Sequence, residues 1–179
     1  NASPRVARHA LSVYAVADQI LCNLCGADSA RPLARQCGFS IVECCVCGLV
    51  YVKPRPTTER LAALYTNYHT REGRNEGSWD RLMGRIFREA ADRLGATRTN
   101  AGSARVLDVG CGFGGFVDLM RERGWDAEGV DPSRAVVDAA TRNGRRVRLG
   151  TLEELPTNAG SYDAVTMFYV LEHLPDPMG

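Results

Sequence analysis

The chain has 179 residues, 45% of them apolar and 24% charged, proportions that fit an ordinary globular protein and exclude disordered and collagen-like chains. Its 22 basic and 21 acidic residues leave a formal charge of +1, which argues against the basic footprint of a dedicated nucleic-acid binder and favours a small-molecule partner. No apolar run approaches the roughly 18 residues that a membrane span needs, so no membrane association is expected.

Residues 1–21 read as an N-terminal helix or extension, because Val6, Ala10, Val13, Ala17 and Ile20 recur near helical spacing. Arg5, Arg8, His9 and Asp18 break up any apolar core, so a signal peptide is not expected. The chain opens at Asn1 and stops at Gly179 directly after Leu-Pro-Asp-Pro-Met, and it reads as a fragment.

Residues 22–56 read as a zinc-binding segment. Cys22-Asn-Leu-Cys25 is followed, after 18 intervening residues, by Cys44-Cys45-Val-Cys47. Two residues between thiolates let both sulfurs of a knuckle face one ion at about 2.3 Å, and the second knuckle closes a tetrahedron. Gly26 and Gly48 follow the knuckles directly, where a tight turn favours positive φ. The expected ligands are therefore Cys22, Cys25, Cys44 and Cys47, and the expected metal is a structural Zn2+, since a four-thiolate site is coordinatively closed. The alternatives are a disulfide framework, disfavoured beside enzyme motifs without a secretory signal, or plain buried thiols. Cys45 lies inside the second knuckle and Cys37 is expected to fill a small core; neither is taken as a ligand. Leu49-Val50-Tyr51-Val52 is a short β-type run stopped by Pro54 and Pro56.

Residues 57–78 read as a linker, with a short helix over Thr57–Tyr65 and then a polar stretch rich in Gly, Asn and Arg. Tyr65, Tyr68 and His69 could line a pocket, but packing of a helix on its neighbour is favoured. Trp79, Leu82, Met83, Ile86, Phe87, Ala90 and Leu94 follow the helical period and predict an amphipathic helix that Gly95 stops.

From Arg105 the pattern becomes β-α-β. A short apolar strand ends at Asp108, and Gly110, Gly112 and Gly114 let the turn bring backbone close to a ligand at the start of a helix over Phe116–Arg123. Asp131 ends the second strand 19 residues after Gly112, where a carboxylate can accept both hydroxyls of a ribose. Gly110-x-Gly112-x-x-Gly115 also satisfies the dinucleotide fingerprint, so the glycines alone leave a nicotinamide enzyme open. Asp108 would repel a diphosphate and attract an ammonium, which favours a positively charged cofactor.

Taken together, these stretches resemble the class I S-adenosylmethionine-dependent methyltransferases, in the branch whose catalytic domain follows a four-cysteine zinc-binding segment. The resemblance runs from about residue 22 to the end. It rests on Cys22 to Cys47, Leu49-Val-Tyr-Val-Lys-Pro-Arg-Pro, Tyr65 to Tyr68, Val106-Leu-Asp-Val-Gly-Cys-Gly-Phe-Gly, Gly129-Val-Asp131, Gly150-Thr-Leu-Glu-Glu-Leu-Pro and Tyr162 to Pro177. It implies that Asp108 and the loop of Gly110, Cys111, Gly112 and Gly114 hold the methionine part of S-adenosylmethionine, that Asp131 holds the ribose, and that Thr151 and Leu152 meet the adenine. Phe168 is counted with the cofactor contacts. Many relatives carry an acidic residue at the position of Thr151, so the adenine amino contact would shift to backbone groups here.

Downstream, Pro132 in a helix first turn, then Val136, Val137 and Ala140 up to Asn143-Gly144, predict the next helix, and Arg146–Leu149 the third strand. Ser161–Phe168 is apolar enough for a strand buried on both faces, beside the first strand. The expected fold is α/β: a Rossmann-like, doubly wound parallel sheet, incomplete with four strands of the usual seven, over residues 79–179, preceded by a small zinc-ribbon-like segment. With an unprotected apolar edge strand, weak or no activity and some aggregation are expected of this chain alone.

Methyl transfer needs in-line positioning of an acceptor and, for a poor nucleophile, a general base. His173, with Glu172 beside it, follows the fourth strand at the rim where open α/β sheets bind ligands, and an imidazole can serve as a general base. The other reading, which is favoured, makes Leu171-Glu-His-Leu174 a helix start and His173 a structural hydrogen-bonding group. Tyr169 is a further candidate. The resemblance favours a small-molecule acceptor such as a sugar or other secondary metabolite, while the cysteines and the enzyme reading favour the cytoplasm as compartment. An RNA methyltransferase using the cysteine segment for nucleic-acid binding is the alternative. Residues 22–60 carry five basic against three acidic residues with no basic stripe, so nucleic acid is not favoured. A nicotinamide-dependent oxidoreductase is the third reading. The acceptor atom and the oligomeric state are not encoded in any motif here.

Overall fold

A computed structural model of the chain describes residues 20–36, 38–55, 57, 61, 76–97, 104–155, 161–174 and 177–178. The chain divides into two units, Asn1–Arg60 with Pro175–Gly179 and Leu61–Leu174. Most of the expected N-terminal helix, Cys37, Tyr65, Tyr68 and His69 lie outside the described residues. Among those described, no helix is long and apolar enough to cross a membrane.

The first unit is a three-stranded antiparallel sheet in the order β1-β2-β3, with β1 at Ala30–Gln36, β2 at Phe39–Cys44 and β3 at Val50–Lys53. β2 alternates in the way a half-buried strand requires, with Val42 and Cys44 turned into the interior. β1 shows no alternation and carries Pro32, which an edge strand tolerates because one row of its N–H groups has no ladder partner. Pro32 stands opposite Val42 and Ala34 opposite Ile41, so Leu33 is an extra residue, a bulge that bends this edge. The expected run after the knuckles is present as β3, shifted one residue to start at Val50.

The second unit holds a parallel sheet in the order β6-β5-β4-β7, with β4 at Arg105–Val109, β5 at Asp126–Asp131, β6 at Val147–Leu149 and β7 at Ala164–Met167. Chain order runs outward from β4 through β5 to β6, then returns to the other side of β4 with β7. That reversal is the doubly wound topology, and it opens a crevice beyond the carboxyl ends of β4 and β7.

Among the described residues three helices accompany the sheet: α1 (Glu76–Thr97), α2 (Gly115–Glu122) and α3 (Arg134–Arg142). Their buried residues Met83, Phe87, Ala91, Phe116, Met120, Val137 and Ala140 form one cluster with Val106, Ala127 and Val147 of the strands. Leu107, Val109 and Val130, an odd number of residues along their strands from Val106 and Ala127, face the other side and are covered by Leu152, Leu155, Tyr162, Met167 and Val170.

Several boundaries differ from the sequence reading. α1 passes through Gly95 to Thr97, whose hydroxyl donates to the Leu94 carbonyl at 2.9 Å. Its buried stripe is Met83-Phe87-Ala91, an i, i+4 row, while Leu82 is 69% exposed. α3 starts after Ser133, which puts Pro132 ahead of the N-cap rather than in the first turn. β7 lies beside β4 as expected, yet it is an edge strand among the described residues, with Val165 53% exposed rather than buried on both faces.

Candidate functional site

The glycine loop between β4 and α2 is shaped by its own chain before any ligand arrives. Gly110, Gly112 and Gly114 all take positive φ, from 55° to 81°. At Gly110 a Cβ would collide with the Val170 side chain, and at Gly114 it would come within 2.8 Å of Val147 Cγ2 and 3.3 Å of Arg145 Cδ. These two glycines answer to packing within the protein. At Gly112 the nearest atom is Trp79 Nε1 at 3.6 Å, an ordinary van der Waals contact, so no comparable collision arises there.

Backbone N–H groups of Gly110 and Cys111 both donate to the Val130 carbonyl, at 2.8 and 3.1 Å. Asp131, buried at the end of β5, accepts from the Gly112 N–H at 2.9 Å through one oxygen and from the Ser133 N–H at 2.8 Å through the other. One carboxylate thus ties the loop to the start of α3. A carboxylate at this position is the acceptor that a ribose diol requires.

Asp108 is 3% exposed and stands in register with Thr166 of β7, whose hydroxyl donates to it at 2.7 Å. Burial pushes its carboxyl up to about 7; the Thr166 bond works against this and the nearby Asp131 adds to it. Cys111 turns its side chain inward over Gly129, where a Cβ would meet the sulfur at 2.5 Å. Burial also drives this thiol well above its ordinary value, so what Cys111 offers a ligand is backbone.

Thr151 follows β6 and is exposed; its N–H donates to Glu154 Oε2 at 3.0 Å. Leu152 packs on Leu107, Val109 and Val130. Phe168 is engaged in an aromatic trio with Phe87 and Phe116, at centroid distances of 5.0 and 4.8 Å. Tyr169, 58% exposed, is the one non-glycine residue at positive φ among those described, at 58°. Leu171–His173 is a single 3-10 turn in which the His173 N–H donates to the Val170 carbonyl at 2.8 Å, and Glu172 and His173 are both exposed. Because the four strands are parallel, Asp108, Asp131, Thr151 and the Phe168–His173 segment all emerge at one rim. Thr166, Ser133 and Val170 also shape it, though no local motif marks them.

In the first unit the two knuckles repeat one hydrogen-bond scheme. The N–H of Cys22 donates to the Ala27 carbonyl and that of Cys44 to Leu49, while Gly26 and Gly48 donate back to Cys22 and Cys44. Gly26 and Gly48 take φ of 72° and 77°, the left-handed turn each knuckle needs. The sulfurs of Cys22, Cys25, Cys44 and Cys47 lie within 4.8 Å of one another, with Cys22–Cys47 at 3.5 Å and Cys25–Cys44 at 3.6 Å. A tetrahedron of sulfurs at 2.3 Å from one ion has edges of about 3.8 Å, so the cluster fits a metal. The N–H groups of Cys47 and Val46, the latter 3.4 Å from the sulfur, pull the Cys44 thiol down to about 6. The Leu49 N–H lowers Cys47, but burial and the three neighbouring sulfurs outweigh it and lift that thiol to about 12. Four thiolates at this spacing cannot ionise together without a cation among them. Cys45 is exposed and stands outside the cluster.

A family profile described as a methyltransferase domain matches residues 79–179. The ubiquinone biosynthesis O-methyltransferase of Marinobacter nauticus is 39% identical over 89 residues, covering 45% of this chain and 37% of that protein. The Bordetella avium protein of the same name is 41% identical over 80 residues, covering 41% of this chain and 33% of its own length. The matches thus span about a third of the length of these curated relatives. Among solved structures, magnesium protoporphyrin IX methyltransferase from Synechocystis PCC 6803 with bound SAM superposes with a TM-score of 0.52 at 20% identity, covering 68% of this chain and 67% of that one. The plantazolicin methyltransferase BpumL in complex with SAH gives 0.50 at 16% identity, covering 65% and 49%. Those two likenesses speak to the fold.

Proposed function

On the premise that this chain belongs to the class I S-adenosylmethionine-dependent methyltransferases, through its methyltransferase domain over residues 79–179, we propose that its parallel-sheet unit binds S-adenosylmethionine and serves methyl transfer to a small molecule. The observation that carries the reading is the pair of buried carboxylates at the ends of neighbouring strands, Asp108 and Asp131, flanking a loop whose Gly112 N–H is already held by Asp131. When bound, the cofactor supplies an electrophilic methyl on a sulfonium. Asp131 accepts from the ribose hydroxyls, Asp108 answers the cationic methionine end, and backbone of Gly110–Gly114 lies along the ligand. A buried acid two residues before the first glycine disfavours a diphosphate, which weighs against a nicotinamide cofactor.

Thr151 and Leu152 are assigned to the adenine end, with Phe168 beneath the rim. His173, Glu172 and Tyr169 are assigned to the acceptor side, because they leave β7 at the same rim and are exposed there. A small-molecule acceptor is supported by the names of the relatives, and within that class a sugar or another secondary metabolite is the acceptor we propose. Cys22, Cys25, Cys44 and Cys47 are assigned to one structural Zn2+, supported by their sulfur spacing.

Isothermal titration of S-adenosylmethionine and, separately, of NAD tests the cofactor reading. Saturable binding of S-adenosylmethionine alone, abolished in an Asp131→Ala protein that retains its circular dichroism, is the expected result. Binding of NAD in its place would overturn it.

A further inference from the structure

The glycine loop is held from two sides, and only one of them belongs to the strand ends that face the ligand. Asp131 takes the Gly112 N–H. The carbonyl of the following residue, Phe113, accepts from an Arg145 guanidinium N–H at 2.6 Å, across 32 residues of sequence. Arg145 Nε donates in the same way to Asp118 Oδ2 at 2.6 Å, in the first turn of α2. The Arg145 side chain is 13% exposed, so this planar fork works largely out of water, where charge-assisted bonds are strongest. Its Cδ and the Val147 side chain also fill the space beside Gly114 that a Cβ would need.

This is an unexpected location for a cation. A helix N-terminus carries partial positive charge, so a guanidinium beside the start of α2 is disfavoured unless something offsets it. Asp118 and the Phe113 carbonyl supply that offset, and they also fix the direction in which the loop enters the helix. Without Arg145, the Phe113 carbonyl would lose its 2.6 Å charge-assisted bond, and with it the tie that joins this end of the loop to the first turn of α2.

We infer that Arg145 is a positioning residue for cofactor binding: by clamping the Phe113 carbonyl and the first turn of α2, it holds the glycine loop in the shape that Asp131 and the ligand require. The inference rests on the cofactor reading above. Arg145 touches no ligand in this role; it acts through the loop. Lysine at this position can reach Asp118 or the Phe113 carbonyl, but its single ammonium lacks the fork that spans both.

The test is isothermal titration of S-adenosylmethionine into the full zinc-loaded chain as wild type, Arg145→Ala, Arg145→Lys and Asp118→Asn. Arg145→Ala is expected to raise Kd by about tenfold or more, the size expected for a lost hydrogen bond to a charged group. Arg145→Lys is expected to recover part of that loss, and Asp118→Asn, which leaves the Phe113 bond in place, to cost less than Arg145→Ala. Binding stoichiometry separates positioning from simple destabilisation: a structural role lowers the number of competent sites and leaves Kd unchanged, and that outcome overturns the inference. Should Arg145→Ala fail to fold, a wild-type Kd in folded Arg145→Lys overturns it equally. A folded wild type that takes up no S-adenosylmethionine overturns the cofactor reading itself, a result distinguishable from an unchanged Kd in the variants.

Discussion

Asp108 shows how one side chain can be legible as a position and illegible as a chemical state. Its place before the glycines marks it as a ligand group, but its burial, its one short bond from Thr166 and its proximity to Asp131 arise from strands that meet only on folding. Burial lifts the carboxyl from 3.8 to about 7. Between those values the folded protein holds a proton there that the unfolded chain has released, so this contribution to stability is present at low pH and is lost as pH rises toward 7. The groups facing it are Asp131 from β5, Cys111 from the loop and the Thr166 hydroxyl from β7. An Asp108→Asn protein, neutral at every pH, is therefore expected to lose less melting temperature than wild type between about pH 5 and about pH 8. Parallel melting curves across that range would disprove the assignment.

Secondary-structure elements were legible in proportion to how local their causes are. The knuckles repeat a five-residue scheme with a glycine at its fifth position, and both were visible as Cys-x-x-Cys-Gly. β1 was not: ARPLARQ has a proline and no alternation, and it becomes a strand because β2 offers it a ladder and a bulge absorbs the misfit. α1 was read with the right period but with Leu82 inside, since periodicity fixes a stripe only to within a residue width and the neighbouring Phe116 and Phe168 select Met83, Phe87 and Ala91. Among its described residues the first unit buries the apolar side chains of Ile20, Val42 and the two cysteines Cys22 and Cys44, a small interior of the kind that the proposed zinc would reinforce. Cys44→Ser is thus expected to abolish one-to-one zinc uptake and the sheet signal of this unit, whereas Cys45→Ser leaves both unchanged. Metal analysis with circular dichroism reads the difference, and equal loss in the two variants would refute the ligand set.

For the molecule as a whole, the reversal of strand order at β4 decides where chemistry can occur. It brings the end of β7, with Val170 against Gly110, to the same rim as Asp108 and Asp131. His173 reaches that rim on a one-turn helix and is exposed there. If it serves as the base, His173→Ala lowers release of S-adenosylhomocysteine over a panel of hydroxyl-bearing acceptors while the Kd for S-adenosylmethionine stays at the wild-type value. Equal release would leave His173 its backbone bond to Val170 and no part in the chemistry.

The β-α-β order, the glycine turn, the two strand-end acids and the four metal-spaced cysteines could all be read from the chain, because each is encoded within a contiguous stretch whose residues need no distant partner to declare themselves. The clamp of Arg145 on Phe113, the bond from Thr166 to Asp108 across 58 residues, the collision that forbids a side chain at Gly110, and the pairing of β1 could not. Each of these joins groups far apart in sequence whose meeting is fixed only when the sheet is assembled, and a residue's charge state and freedom are set by whatever the fold brings against it.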